Sequence, residues 1–340
     1  MGEKRLKKLP VIGITMGDPV GIGPEVIIKA LAEGSLWESC VPVIFGDSSV
    51  IKAAMRVTGV SLPLEEVTNV TSLVSGERSA YVVPISRLNA EALVYGRPTA
   101  ETGAAMVSYI FEAIRSAQSK EIDAVVTGPI NKAAMALAGY SYPGHTELLA
   151  DKTGTRNYAM MLAGDKLKVV LVTIHQPLRS VSALLTPEKI VSKISLTDKT
   201  MKDYFGIAEP RIAVAALNPH AGENGLFGDE EDVVIRPAIL QAQREGIAAQ
   251  GPFPADSLFY YACQGWYDAV ICMYHDQGLI PLKLLHFDDA VNVTLGLPIV
   301  RTSVDHGTAY DIAGKGQAAP KSMINAIRLA VRMAIGGSRG

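Results

Sequence analysis

VIGITMGDPVGIGPEV, residues 11–26, is the stretch on which the reading of the whole chain turns. A short apolar run meets a glycine-rich turn. Pro24 and Glu25 then open a helix, because proline suits a first helical position and a carboxylate suits the positive end of the helix dipole. Strand, glycine turn and helix together are the layout of a dinucleotide-binding fingerprint. Asp47, closing VPVIFGD, stands at about the distance the ribose-binding acid requires. Against this, the spacing Gly21-x-Gly23-x-x-Val26 lacks the third glycine that lets helix and strand pack closely. Glycines also serve such corners for geometry alone, by supplying positive φ. The turn is either a phosphate cradle or a structural corner, and residues further along must separate the two.

The 340-residue length suggests two domains. Hydrophobic residues at 48% and charged residues at 19% are those of a globular chain and exclude disorder. A formal net charge of −2, with no long basic run, gives no reason to expect nucleic acid as a partner. EKRLKKLP near the start reads as a short solvated charge cluster, and the terminal GGSRG as a frayed end. The apolar run after the basic start is broken at Asp18, too short for a signal peptide. No stretch reaches the roughly 20 apolar residues of a membrane span. Cys40, Cys263 and Cys272 form no CxxC, and two of them sit in or beside strand-like runs, where a free cysteine acts as a small hydrophobe; the set reads as that of a reduced, cytoplasmic protein.

Beyond the opening run, VPVIFGD, DAVVTGPI, KVVLVTIH, RIAVAALNPH and DAVICMYH are continuous, branched apolar stretches, as strands buried on both faces read. Helical patterns lie between them: ETGAAMVSYIFEAIRSAQSK, TPEKIVSKISLTDKTMKDYFG with Thr186 as N-cap and Pro187 next, and GDEEDVVIRPAILQAQREG with an acidic first turn and a stop at Gly246. Alternation of this kind predicts an α/β fold with a largely parallel sheet.

Three of the six histidines share one position. His175, His220 and His275 each sit just past the carboxyl end of a predicted strand, the edge at which open α/β sheets bind ligands. Three imidazoles in one cleft would make a metal site with open positions, suited to Zn²⁺ or a similar ion. A lone histidine there is more often a polar loop residue; the repetition is what argues for a metal. Asp276 and Asp256 are candidates to orient a ligating histidine or to accept a proton, while helix capping accounts equally well for Asp256.

A second set of residues favours anions. In PGHTELL, His145 and Thr146 stand at a glycine turn ahead of a helix, where N–H groups and the dipole attract an anion. Lys283, Asn292 and Arg301, spaced along predicted strand and turn segments, could clamp a phosphate by charge-assisted hydrogen bonds, although from spacing alone they could equally be unrelated surface groups.

GDPVGIGPE, TGPINKAA, GHTELLA, NPHAGENGLFGDEE, MYHDQGLIPLK and VNVTLGLPIVRTSVDHGTAYDIAGKG together resemble the 4-hydroxythreonine-4-phosphate dehydrogenase family, in one colinear order over nearly the whole chain. The resemblance implies NAD and one divalent metal ion as cofactors. Zn²⁺ is the leading choice, with Co²⁺, Mn²⁺ or Mg²⁺ as alternatives. It also implies His175, His220 and His275 as metal ligands, and His145, Thr146, Lys283, Asn292 and Arg301 as substrate contacts. The implied assembly is a cytoplasmic homodimer with the active site at the subunit interface and the metal held by residues of both chains.

The implied fold is two-domain α/β/α and similar to isocitrate and isopropylmalate dehydrogenases, with the active site in the interdomain cleft. By analogy residues 1–130 and 290–340 would share one domain, and 131–289 would form a central domain with the metal ligands and dimer interface. Those relatives bind NAD without the fingerprint considered above. The opening turn resembles their GDGIGPE turn with an insertion, and DHGTAYDIAGKG resembles their adenosine loop. Gly307, Asp311 and Gly314 are thereby implied to hold the nucleotide, with Asp311 favouring NAD over NADP because a carboxylate repels a 2′-phosphate.

The implied reaction is oxidation of a C3 hydroxyl followed by decarboxylation, with Asp276, Asp256 and Lys132 as candidates for the base. Lys132 would need burial or a neighbouring cation to serve. Retention of the phosphate-contacting residues argues for a small phosphorylated substrate. YPGHTELLA and NPHAGENGLFGDEE lean toward 4-phospho-D-threonate or 4-phospho-D-erythronate, giving dihydroxyacetone phosphate in carbohydrate catabolism. The alternative is 4-phosphooxy-L-threonine, on the route to vitamin B6. Two rivals are a non-catalytic metal- and phosphate-binding protein, expected to lose a ligand histidine or the nucleotide loop, and an isocitrate-type enzyme, which would use aspartates for its metal.

Overall fold

The computed structural model describes residues 9–73 and 78–337. Most of the charged stretch EKRLKKLP and the last three residues lie outside that range. The chain divides into two compact units: one runs to Gly154 and resumes over Pro298–Ile335, and the other comprises Thr155–Leu297 with Gly336 and Gly337. The divisions thus fall after Gly154 and Leu297, where the sequence reading set them after residues 130 and 289. Residues 131–154 pack with the first unit, because the helix Ala100–Gln118 packs against the helix Lys132–Leu137.

Twelve strands form in chain order: β1 (Val11–Thr15), β2 (Val41–Gly46), β3 (Leu64–Glu66), β4 (Ala80–Pro84), β5 (Ala124–Thr127), β6 (Ala159–Ala163), β7 (Lys168–Leu171), β8 (Ile212–Ala215), β9 (Ala249–Phe253), β10 (Ala269–Cys272), β11 (Val291–Leu295) and β12 (Arg301–Val304). In the first unit the order is β3-β4-β2-β1-β5-β12, and every pairing is parallel. In the second it is β11-β6-β7-β10-β8-β9, parallel except for β6, which runs antiparallel to both β11 and β7.

All six strands read from apolar runs are present, and five of them (β1, β2, β5, β8 and β10) are buried along their full length. Burial on both faces is what a parallel sheet covered by helices imposes. Hydrophobic contact between sheet and helices fills each core. In the second unit Leu171, Val270 and Cys272 of the sheet meet Leu279 and Leu282 of the helix His275–His286. Cys40 and Cys272 are buried free thiols, and burial pushes the Cys40 thiol up to about 12. No described helix is long and apolar enough to cross a membrane.

The opening turn is a structural corner. An added side chain at Gly23 would collide with the Met16 carbonyl oxygen, and Gly17 sits at φ +75° against the Pro129 carbonyl. Backbone crosses backbone here, and the glycines are what the crossing requires. Asp47 caps the helix Ser48–Thr58 instead of reading a ribose. Its carboxylate accepts from the N–H groups of Ser49 and Val50, and also from Leu88 N and the Ser86 hydroxyl.

Candidate active site

In the second unit the carboxyl ends of β7, β8 and β10 lie side by side, since β10 pairs with both β7 and β8. His175 and His275 emerge from two of these ends with their rings 5.6 Å apart between centroids. The spacing is held from below. Thr173 N–H and its hydroxyl both donate to the Met273 carbonyl, at 3.2 and 2.7 Å. The buried Gln277 side chain accepts from Met273 N at 2.7 Å and donates to the Ala216 carbonyl at 2.6 Å, tying the end of β8 to the start of the His275 helix. His275 Nδ1 lies 2.7 Å from Asp276 Oδ1. When Nδ1–H donates to that carboxylate, the Nε2 lone pair is presented for a ligand. Two adjacent imidazoles with a carboxylate behind one of them suit a borderline divalent ion.

His220 does not join them within one chain. Its Nδ1 is 3.0 Å from Glu223 Oε2, and its ring stands edge-on to Phe227. Among the described residues no three His, Cys, Asp or Glu side chains form a group able to hold a metal. A single chain therefore brings two of the three strand-end histidines together and leaves the third apart. The reason is the backbone: His220, Ala221, Glu223 and Asn224 all have positive φ, between 43° and 57°, and this left-handed turn swings the ring away. The turn is gripped by Glu231, only 2% exposed, which accepts from Leu217 N and Asn218 N at 2.8 Å each and from Asn218 Nδ2 at 3.0 Å. Glu231 opens a π-helical turn, Glu231–Ile235, ahead of the helix Arg236–Arg244. The sequence reading saw its acidic residues only as a helix start.

Asp256 is exposed in the first turn of the helix Ala255–Cys263, with Pro254 and not Asp256 at the cap. Its Oδ1 accepts from Ser257 N. Lys283 lies on the helix His275–His286, not on a strand, with its Nζ 5.7 Å from the centre of the Phe287 ring. Asn292 is on β11.

The anion-favouring residues of the first unit do converge. Arg301 opens β12 and is 2% exposed, with Nε and Nη2 donating to the Thr127 hydroxyl at 3.2 and 2.6 Å. His145 and the buried Thr146 begin the helix His145–Thr153, whose cap, Gly144, offers no side-chain acceptor to the first N–H groups. His145 Nε2 is buried with no hydrogen-bond partner. Burial, and secondarily the Arg301 charge, hold the imidazole well below its usual pKa, so it is neutral at pH 7. A buried cation, a neutral imidazole with an unmet nitrogen and an open helix N-terminus together suit a multiply charged anion.

The DHGTAYDIAGKG segment lies in the same unit. Gly307 is exposed with nothing within 4 Å of where a side chain would begin, and Asp311 is exposed, so the loop can lie against a nucleotide. Gly314 has φ +78° and lies against the Tyr95 ring. Lys132 is exposed at the start of its six-residue helix, without the burial that a base role for it would need. Three positions went unremarked in the sequence although each lies inside a quoted motif: Gln277, Glu231 and Thr127.

Comparison with known proteins fits this layout. Residues 38–330 match the family described as pyridoxal phosphate biosynthetic protein PdxA. The 4-hydroxythreonine-4-phosphate dehydrogenase of Desulforapulum autotrophicum is 53% identical over 329 residues, covering 96% of each chain. The D-threonate 4-phosphate dehydrogenase of Salmonella typhimurium is 44% identical over 325 residues, covering 95% of this chain and 98% of that one. The crystal structure of the Klebsiella pneumoniae 4-hydroxythreonine-4-phosphate dehydrogenase, 42% identical, superposes with a TM-score of 0.89 over 96% of this chain and 98% of that one.

Proposed function

Because the chain belongs to the PdxA family of dehydrogenases, we propose that it oxidises the C3 hydroxyl of a four-carbon, C4-phosphorylated hydroxy acid with NAD and a divalent ion, and that the product loses CO₂. The observation that carries this reading is the buried Arg301 together with the buried, unmet Nε2 of His145 at an uncapped helix start, matched in the other unit by the adjacent His175 and His275.

His175 and His275 are the ligands one chain offers, and His220 is the ligand we assign to the partner subunit's site. The helix carrying His275 supports a homodimer: Ile280, Leu284 and Phe287, spaced along one face, are 66%, 85% and 74% exposed. When bound, the ion supplies Lewis acidity at the C3 oxygen and NAD takes the hydride. The protein's own groups do the rest. Arg301, the neutral His145 and the N–H groups of the 145–153 helix hold the phosphate dianion. Lys283 and Asn292 are assigned to the substrate as well. Asp276 orients His275 and is the carboxylate we assign to receive the hydroxyl proton, in preference to Asp256 and Lys132. Gly307, Asp311 and Gly314 hold the nucleotide, with Asp311 at the ribose. Three free cysteines accord with a reducing, cytoplasmic setting.

Oxidation at C3 leaves a ketone beside the carboxylated C2, so the C1–C2 bond can break: CO₂ departs, the bonding pair stays behind delocalised onto the ketone oxygen, and C2 then takes up a proton. With an ammonium at C2 the product is an aminoketone phosphate; with a hydroxyl it is dihydroxyacetone phosphate. The 53% relative favours the first, 4-phosphooxy-L-threonine. The motifs YPGHTELLA and NPHAGENGLFGDEE, with the 44% relative, favour the second, a 4-phospho-D-threonate or 4-phospho-D-erythronate. We take the first as the leading reading on the margin of identity. NADH formation on the three substrates side by side decides: a tenfold preference in kcat/KM, about 1.4 kcal/mol, for either sugar acid would reverse the assignment.

A further inference from the structure

We infer that Glu25 is a positioning residue for the nucleotide loop, and that the GDPVGIGPEV corner exists to grip that loop. The inference rests on the reading above that residues 305–316 hold NAD. Glu25 is 1% exposed, and its two carboxylate oxygens are both engaged by backbone: Oε1 by Gly314 N–H at 2.5 Å and Oε2 by Gly316 N–H at 2.8 Å. One turn along the same helix, Gly23–Leu31, Lys29 Nζ donates to the Gly316 and Ala318 carbonyls at 3.0 and 2.7 Å. The corner adds Ile22 N–H to the Thr308 carbonyl at 3.0 Å, and the Tyr310 hydroxyl donates to Asp18. An added side chain at Gly21 would stand 3.0 Å from Thr308, so that glycine is there to let the two segments touch.

The loop needs this grip because it has little of its own. Between Val304 and Lys321 it forms no strand or helix, and Ala309, Gly314 and Gly316 all have positive φ. A segment with so few internal bonds keeps one conformation only if something outside imposes it. A buried carboxylate between two N–H donors does so well, since charge-assisted bonds are the strong ones and amides cannot be left unmet inside. The glycines and acid of the corner thus serve the cofactor at one remove, by shaping the loop that contacts it.

The test uses the full-length protein, with NADH fluorescence titration for the nucleotide and Co²⁺ calorimetry for the metal. Glu25→Gln replaces one acceptor by a donor facing an N–H. The expected result is an NADH Kd raised about 10- to 100-fold, a KM for NAD raised in step, kcat changed far less, and Co²⁺ affinity unchanged. Lys29→Met, which keeps the stem packed, is expected to move the same quantities in the same direction by a smaller factor, and it decides the matter if the first variant does not fold. NADH affinity equal to wild type in both variants would overturn the inference, and so would parallel loss of NADH and Co²⁺ binding. A wild-type protein that binds no NADH would instead overturn the nucleotide-loop reading and the inference with it.

Discussion

Removing the carboxylate of Glu231 should loosen the His220 turn far more than a surface change would. The side chain is 2% exposed and accepts from Leu217 N, Asn218 N and Asn218 Nδ2. Glu231→Ala leaves two part-buried backbone N–H groups unmet, at about 1–3 kcal/mol each, so a loss of about 2–6 kcal/mol is expected. The turn it braces is already costly, because His220, Ala221, Glu223 and Asn224 sit in the left-handed region, where non-glycine residues lose roughly 1–2 kcal/mol apiece. Without the brace the turn should relax and His220 lose its place, lowering metal affinity about 10- to 100-fold, as loss of a ligand-orienting group does. Glu231→Gln, which keeps one acceptor, should fall between. Urea unfolding followed by circular dichroism gives the stability, and Co²⁺ titration gives the affinity. If Glu231→Ala unfolds within 0.5 kcal/mol of wild type and binds Co²⁺ equally well, the turn does not depend on this carboxylate and the reasoning fails.

Four further outcomes are expected. His145 has a folded pKa held below its unfolded value, so the unfolded chain takes up a proton that the folded one refuses. Stability should therefore fall as pH drops below about 6.5, by up to about 1.4 kcal/mol per pH unit from this group. Comparing acid unfolding of wild type and His145→Asn checks this, and parallel curves would count against it. Asp311→Ala should relax the preference for NAD over NADP, read as the ratio of their kcat/KM values, since the carboxylate that repels a 2′-phosphate is gone. Gln277→Ala should weaken Co²⁺ binding about tenfold or more, because the ends of β8 and β10 lose their shared bridge; titration calorimetry reads it directly. Leu284→Asp, on the exposed face of the His275 helix, should shift the protein toward monomer by light scattering and lower metal affinity together. Dissociation with metal affinity intact would argue against ligands drawn from two subunits.

The fold was legible where one physical demand dominated. Strands β1, β2, β5, β7, β8 and β10 are apolar runs because helices cover both faces, and Thr186 with Pro187 marks a helix start as the structure has it. Strand β6 escaped notice because its five residues, AMMLA, carry no β-branched side chain and run antiparallel among parallel neighbours. Strand β9 escaped because Gly251 and Pro252 interrupt it, which its edge position tolerates. Lys283 misled because IPLKLL reads as an apolar strand, whereas a helix can bury its leucine Leu282 and leave the next residues outside. In the site, the types of the reacting residues were visible, but the residues that aim them were not. Glu25, Glu231 and Gln277 bond to backbone atoms up to 291 positions away in sequence, and no local pattern announces such a partner. Asp47 erred in the opposite sense: its spacing suited a ribose, while the nearest unmet N–H groups were those of its own helix.

The most direct test of the central claim is NADH formation by the Co²⁺-loaded protein on 4-phosphooxy-L-threonine and on 4-hydroxythreonine, the same compound without its phosphate. The buried Arg301 and the unmet His145 Nε2 exist, on this account, to hold that group, so the phosphorylated compound should be favoured by about a thousandfold or more in kcat/KM, roughly 4 kcal/mol. The preference should collapse in Arg301→Met. Equal turnover of the two compounds, or a preference that survives the loss of Arg301, would contradict the account.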